Sequence, residues 1–148
     1  WSNRLRCQPI DLHQERQVQR ACLEAIQAGL IRAAHDCSDG GLAVALAEMS
    51  FSHFHAAGQG ARINLPAADF PAGVLFGEYQ SRILVTLDEA HWGALQKIAA
   101  GHGVELLRLG TTAGDRLTIQ DGGSRLVDEP VAELESIWRH SLGQYFQR

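Results

Sequence analysis

The spacing of apolar residues changes period several times along the chain, and each change marks an element. Asp11 stands ahead of Val18, Cys22, Ala25 and Ile26, which recur at three and four residues. This predicts a helix capped by Asp11 and closed at Gly29. Residues 30–34 form a short apolar run, predicted as a strand, which leads into a polar turn at 35–41. The helix predicted over residues 41–54 is small and apolar nearly all round, with a stripe of Leu42, Leu46, Met49 and His53 and a lone charge, Glu48, pointing away from it. Such a helix belongs between layers. Residues 61–65 alternate as a strand, and 66–77, with two prolines and two glycines, read as a loop. Residues 82–87 read as a central strand. Asp88 then opens a helix carrying Trp92, Leu95 and Ala99, ended by Gly101 and Gly103. Residues 104–109, 116–119 and 124–127 are predicted strands, the last two joined by the turn Asp121-Gly122-Gly123. Pro130 starts a final helix with Val131, Leu134, Trp138, Leu142 and Tyr145 on its apolar face.

The resulting order, α-β-α-β-β-α-β-β-β-α, predicts an α/β (α+β) domain: a mixed sheet layered with helices as three α/β/α layers. Residues 1–10 are polar with Pro9 and read as a linker or arm, leaving 11–148 as a single domain. A chain of 148 residues is long enough for one self-sufficient core. Charged residues make up 20%, below the usual ~25%, which suggests that another domain or subunit covers some surface. The net charge of −4 argues against a nucleic-acid footprint, and no apolar run is long enough to span a membrane. The expected setting is soluble and cytoplasmic. Cys7, Cys22 and Cys37 are odd in number and lack a Cys-x-x-Cys pair, so they read as reduced thiols and not as zinc ligands. The first residue is Trp1, which points to a processed chain or a piece of a longer one.

Chemistry concentrates at His35-Asp36-Cys37-Ser38-Asp39-Gly40-Gly41, between a strand and a buried helix. Free N–H groups at 40–42 and the helix dipole favour an anion there, while Asp36 and Asp39 repel a bare phosphate. A divalent cation between carboxylate and phosphate, or a cationic ligand group, resolves the conflict. A plain structural role accounts for the same residues: Ser38 or Asp39 caps the helix, and Gly40-Gly41 makes the turn. A second cluster, Leu75-Phe76-Gly77-Glu78-Tyr79-Gln80-Ser81-Arg82, precedes a strand. Glu78 and Gln80 alternate and share a face, where both could bind one ligand. Alternatively, this is a polar rim with Arg82 paired locally. His53 and His55 diverge on a helix and make poor joint ligands. No Gly-x-Gly-x-x-Gly, Walker-type loop or Gly-x-Ser-x-Gly elbow is present.

The run Ala34-His35-Asp36-Cys37-Ser38-Asp39-Gly40-Gly41-Leu42-Ala43-Val44-Ala45-Leu46-Ala47-Glu48-Met49 resembles the signature of phosphoribosylformylglycinamidine synthase, a member of the aminoimidazole ribonucleotide synthetase-like superfamily. The segment 75–82 and the Trp138 helix fit the same region, so the resemblance spans roughly residues 11–145. It implies the C-terminal α/β/α domain of the second half of that enzyme, which converts formylglycinamide ribonucleotide, ATP and glutamine-derived ammonia to the amidine through a phosphorylated amide oxygen. It further implies ATP and magnesium in the full-length enzyme, with none expected for the isolated domain. The implied partners are a nucleotide-binding domain of the same chain and a glutaminase subunit or domain, and a dimer is admitted. Asp36, Ser38, Asp39, Gly40 and Gly41 match the turn that faces the cleft between domains. Glu78 and Gln80 are the substrate-facing candidates, although Gly77 and Tyr79 stand where the family's catalytic half has serines. No residue here matches a catalytic one or an expected metal ligand. Two other readings compete: a docking module without ligand contacts, and a metal-dependent small-molecule enzyme using His35, Asp36 and Asp39.

Overall fold

The computed structural model describes residues 10–52, 58–143 and 146. Residues 1–9 of the linker or arm read over 1–10, Cys7 among them, and the His53, Phe54, His55 and Tyr145 positions lie outside the described residues. The mixed α/β class holds: among the described residues five α-helices accompany six strands, arranged in two sheets where the pattern predicts one. The chain divides into two compact units interleaved in sequence. One includes residues up to Ala45 together with Ala72–Arg108; the other includes Leu46–Pro71 and the chain from Leu109 on.

In the first unit, α1 (Leu12–Gln27) starts as expected, with the Asp11 carboxylate accepting from the N–H groups of His13 and Gln14 at 2.9 and 3.2 Å. Ala21 and Ala25 are buried, but Ile26, placed on the inner face by its spacing, is exposed. It shares an outer stripe with Leu12 and Leu23, both also exposed. The helix packs on α4 (Trp92–Gly101), whose Leu95 and Ala99 are buried. Strand β1 (Ile31–Asp36) runs two residues further than predicted and pairs antiparallel with β3 (Ile83–Leu87). Among the described residues the run 83–87 is therefore not a central strand: it has one ladder partner there, and every residue is only half-buried. Asp88 does not cap the next helix. Its carboxylate takes the Arg32 guanidinium at 2.6 Å, and a short 3-10 turn, Glu89–His91, leads into α4.

Helix α2 (Gly41–Ser50) has no exposed residue, as its composition demands, and stops short of the predicted 54. At its end the Ser50 hydroxyl donates back to the Leu46 carbonyl at 2.8 Å, and the Phe51 N–H turns to the Glu48 carbonyl. The supposed loop 66–77 contains α3 (Pro71–Phe76). Pro71 occupies its first position, where proline is tolerated, so the residue that suggested a loop in fact begins a helix.

The second unit is built on a four-stranded sheet of order β4-β2-β5-β6: β4 (Gly110–Thr112), β2 (Ala61–Leu65), β5 (Arg116–Asp121) and β6 (Ser124–Pro130). The strand predicted at 104–109 falls instead on β4. After α4 the chain is held back by the Val104 N–H on the Ala99 carbonyl, and ladder pairing with β2 covers Gly110–Thr112. β2 and β5 are parallel, with Ile63 opposite Ile119 and Leu65 opposite Asp121. Ala61, Ile63 and Leu65 are buried while Arg62 and Asn64 are exposed, the period-2 alternation expected of a half-buried strand. Leu117 and Ile119 are the most deeply buried large side chains, and buried Asp121 accepts the Ala68 N–H at 3.0 Å.

Helix α5 (Val131–His140) buries Val131, but Trp138 and Leu142 of the predicted apolar face are largely exposed. Trp138 tilts against Phe51 and donates its Nε1–H to Glu48 at 2.9 Å. Glu135 accepts the Ser52 hydroxyl at 2.5 Å, the Ser52 N–H at 3.1 Å and the Arg139 Nε–H at 2.7 Å. These donors, the Ser52 hydroxyl foremost, stabilise the carboxylate and draw its pKa from 4.5 down to about 2. A carboxyl depressed by folding stabilises the folded state above its unfolded pKa, and that contribution fades as pH falls towards about 2. Glu135→Gln should therefore flatten the acid side of the melting-temperature profile over this interval. An unchanged acid slope would show that the Ser52–Glu135 contact does not persist in solution.

Candidate functional site

The two sequence clusters, read separately, form one place in the first unit. Because β1 and β3 are antiparallel, the end of β1 lies beside the start of β3, with Asp36 opposite Ile83. The Cys37 N–H extends the ladder to the Arg82 carbonyl at 3.1 Å. The turn 37–40 leaving β1 thus meets the corner 77–82 that joins α3 to β3.

At this junction Gly41 adopts φ +68°, and a Cβ there would come within 2.9 Å of the Leu75 and Gly77 carbonyl oxygens and the Phe76 carbonyl carbon. Only glycine combines that torsion with so close an approach of backbone to backbone. The preceding Gly40 has φ +74°, and its N–H donates to Glu78 Oε1 at 3.0 Å. The amide expected to be free for an external anion is therefore already bound to a carboxylate of the same chain. Glu78 does from a remote segment what the acid of a capping box does from inside a helix.

Neither Ser38 nor Asp39 makes a side-chain capping bond to α2. The Ser38 hydroxyl bonds the Asp36 carboxylate, and this, followed by the Asp36 N–H, holds that carboxyl below its ordinary range. Asp36 and Asp39 are exposed, and Asp39 has no side-chain partner among the described residues. His35 Nδ1 lies 2.6 Å from the Asp36 carbonyl oxygen and 3.8 Å from its Oδ1. Among the described residues no three His, Cys, Asp or Glu side chains could hold a metal ion, so His35, Asp36 and Asp39 do not form a metal site there. Cys37 is buried, and that burial pushes its thiol pKa up, the opposite of what a nucleophile needs.

In the corner, Glu78 and Gln80 are both exposed while Tyr79 between them is half-buried, in line with the expected alternation. Gln80 makes no side-chain hydrogen bond to a described residue. Arg82 does pair locally: its guanidinium donates to the Gly77 carbonyl at 2.5 Å and lies 5.0 Å from the Tyr79 ring centroid. Ser81 holds φ +60°, the one non-glycine residue described with a left-handed backbone. Its hydroxyl donates to Glu15 Oε2 of α1 at 2.7 Å. This bond lowers the Glu15 pKa more than any other influence. Sequence reasoning missed the roles of Ser81 and Glu15, because their separation of 66 positions hides the contact from any local pattern.

Residues 3–122 match the family model described as AIR synthase related protein, C-terminal domain. The phosphoribosylformylglycinamidine synthase subunit PurL of Thermomicrobium roseum is 42% identical over 135 residues, covering 90% of this chain and 18% of its own length. The PurL subunit of an Anaeromyxobacter species is 40% identical over 148 residues, covering 94% of this chain and 18% of its own. The chain thus spans less than a fifth of the curated relatives it matches. Among solved structures, Thermotoga maritima PurL complexed with ATP gives a TM-score of 0.74 at 22% identity, covering 86% of this chain and 23% of that one. The Thermus thermophilus protein tt0281 gives 0.51 at 19% identity, covering 79% and 48%. At these identities the structural likeness is one of fold.

Proposed function

Since the chain belongs to the family of AIR synthase related proteins as a C-terminal domain, we propose that it is that domain of the second half of a phosphoribosylformylglycinamidine synthase. On this reading it serves a cytoplasmic, ATP-dependent ligase of purine synthesis that joins glutamine-derived ammonia to formylglycinamide ribonucleotide. The observation that carries it is about 40% identity to PurL subunits over nine-tenths of the chain. Its place is beside a nucleotide-binding domain of the same polypeptide, with ammonia supplied by a glutaminase subunit or domain and with dimer formation as a further level of assembly. Asp36, Ser38, Asp39, Gly40 and Gly41 would face the cleft between domains, and Glu78 and Gln80 would border it. The segment 11–148 acts as one domain of that enzyme and residues 1–10 as its lead-in.

On this reading ATP and magnesium are cofactors of the full-length enzyme. The Gly40 N–H is bound to Glu78, and Asp36 and Asp39 have no third ligand beside them among the described residues. The bound Gly40 amide also favours a second reading, in which the domain is a docking module whose turn contacts no ligand. A chimera separates the two. This chain would replace the corresponding segment of Thermotoga maritima PurL, and amidine formation would be followed with ribonucleotide, ATP and ammonia. Turnover should survive the exchange, and then fall on Asp39→Asn if the turn works through its charge. A folded chimera as inactive as a deletion would remove the synthase assignment, while full activity in the Asp39→Asn chimera would favour docking. The 148 residues alone should release no phosphate from ATP above a matched blank, with or without the ribonucleotide.

A further inference from the structure

Glu78 and Gln80 share a face, yet the geometry points to different tasks for them. We infer that Glu78 is a positioning residue which, together with Glu15, clamps the corner 77–82 onto the turn 37–40, leaving Gln80 outside the clamp. The Glu78 carboxylate holds the Gly40 N–H at 3.0 Å from one side of the corner, and the Glu15 carboxylate holds the Ser81 hydroxyl at 2.7 Å from the other. Between them the backbone passes through Ser81 at φ +60°. A left-handed conformation at a residue with a Cβ costs free energy and persists only where its surroundings over-determine it. The surroundings here are specific. The Arg82 guanidinium binds the Gly77 carbonyl within the corner, and the Arg82 carbonyl receives the Cys37 N–H from the turn. Every one of these bonds joins the corner to itself, to the turn or to α1, and none uses Gln80.

The inference refines the reading of the corner as a cleft border, but its test needs neither ATP nor ribonucleotide and so can fail independently of the synthase assignment. Amide hydrogen exchange at Gly40 is followed by NMR in the 148-residue chain. A hydrogen bond to a charged acceptor is among the stronger ones, so Glu78→Ala should speed Gly40 exchange about tenfold or more. Glu78→Asp, one methylene too short, should do the same. Glu78→Gln keeps an oxygen at the same reach and should restore most of the protection, which a general loss of stability would not do. Glu15→Ala should also speed Gly40 exchange, because it releases the corner that carries Glu78, while Gln80→Ala should leave it at the wild-type rate. Wild-type exchange in Glu78→Ala, or equal acceleration in Gln80→Ala, would overturn the assignment; wild-type exchange in Glu15→Ala would overturn the two-sided clamp. If Glu78→Ala does not fold, Glu78→Gln decides. Its loss of charge should move the Gly40 amide proton upfield among the turn amides, and an unmoved resonance would overturn the contact.

Discussion

Gly41→Ala should destabilise the chain by about 2–5 kcal/mol, measured by urea unfolding. Two costs add. An L-residue forced into the left-handed region loses roughly 1–2 kcal/mol, and a side chain pressed into packed structure loses about 1–3 kcal/mol more. The second cost applies in full because the atoms met at 2.9 Å are the backbone of residues 75–77, which cannot swing aside as a flexible side chain would. Gly29 supplies the control. It has nearly the same torsion, φ +69°, but a Cβ there meets nothing within 4 Å, so Gly29→Ala should carry the torsional cost alone. Equal losses at the two positions would mean that the corner does not lie against the turn.

The other large effect is expected at Ile119→Ala, with a loss of about 2–5 kcal/mol in the same measurement. Ile119 is fully buried in β5, opposite Ile63 of β2 on one side and Val127 of β6 on the other. A cavity there opens where ladder neighbours on both flanks restrict relaxation, the condition under which truncation costs most. A loss below about 0.5 kcal/mol would place Ile119 outside any packed core.

What could be read from the sequence was whatever lies within one period of itself. The Asp11 cap, the inward Ala25, the β2 alternation and the apolar α2 all declare themselves within a few residues, and all are found. The errors share a cause. Residues 83–87 read as a central strand because they are apolar, but hydrophobicity does not count ladder partners, and β3 has one among the described residues. Pro71 read as a breaker, although proline at a first helical position begins a helix. The turn 35–41 was legible as a place where chemistry could gather. Of the two readings of that turn, a ligand site or a helix capped by Ser38 or Asp39, the second rests on local capping being the commoner device. The acid that actually binds the Gly40 amide comes from 38 residues away, where only the antiparallel β1–β3 pairing makes it a neighbour.

The interleaving of the two units sets a timetable for a chain that emerges from its N-terminus. By Leu87 the β1–β3 ladder has both strands, and by Arg108 the last segment of that unit has been made. Strand β2, completed at Leu65, must wait for Gly110–Thr112 to gain its antiparallel neighbour and until Asp121 for its parallel one. Asp121 lies 56 residues beyond Leu65, so at about 5–20 residues per second the delay is roughly 3–11 s. Throughout it Ala61, Ile63 and Leu65 form an apolar strand face without the β5 strand beside it. Unpaired strands of this kind are where nascent chains associate wrongly. The demand for chaperones during synthesis should therefore fall on β2, and a slower ribosome between Leu65 and Asp121 should increase it.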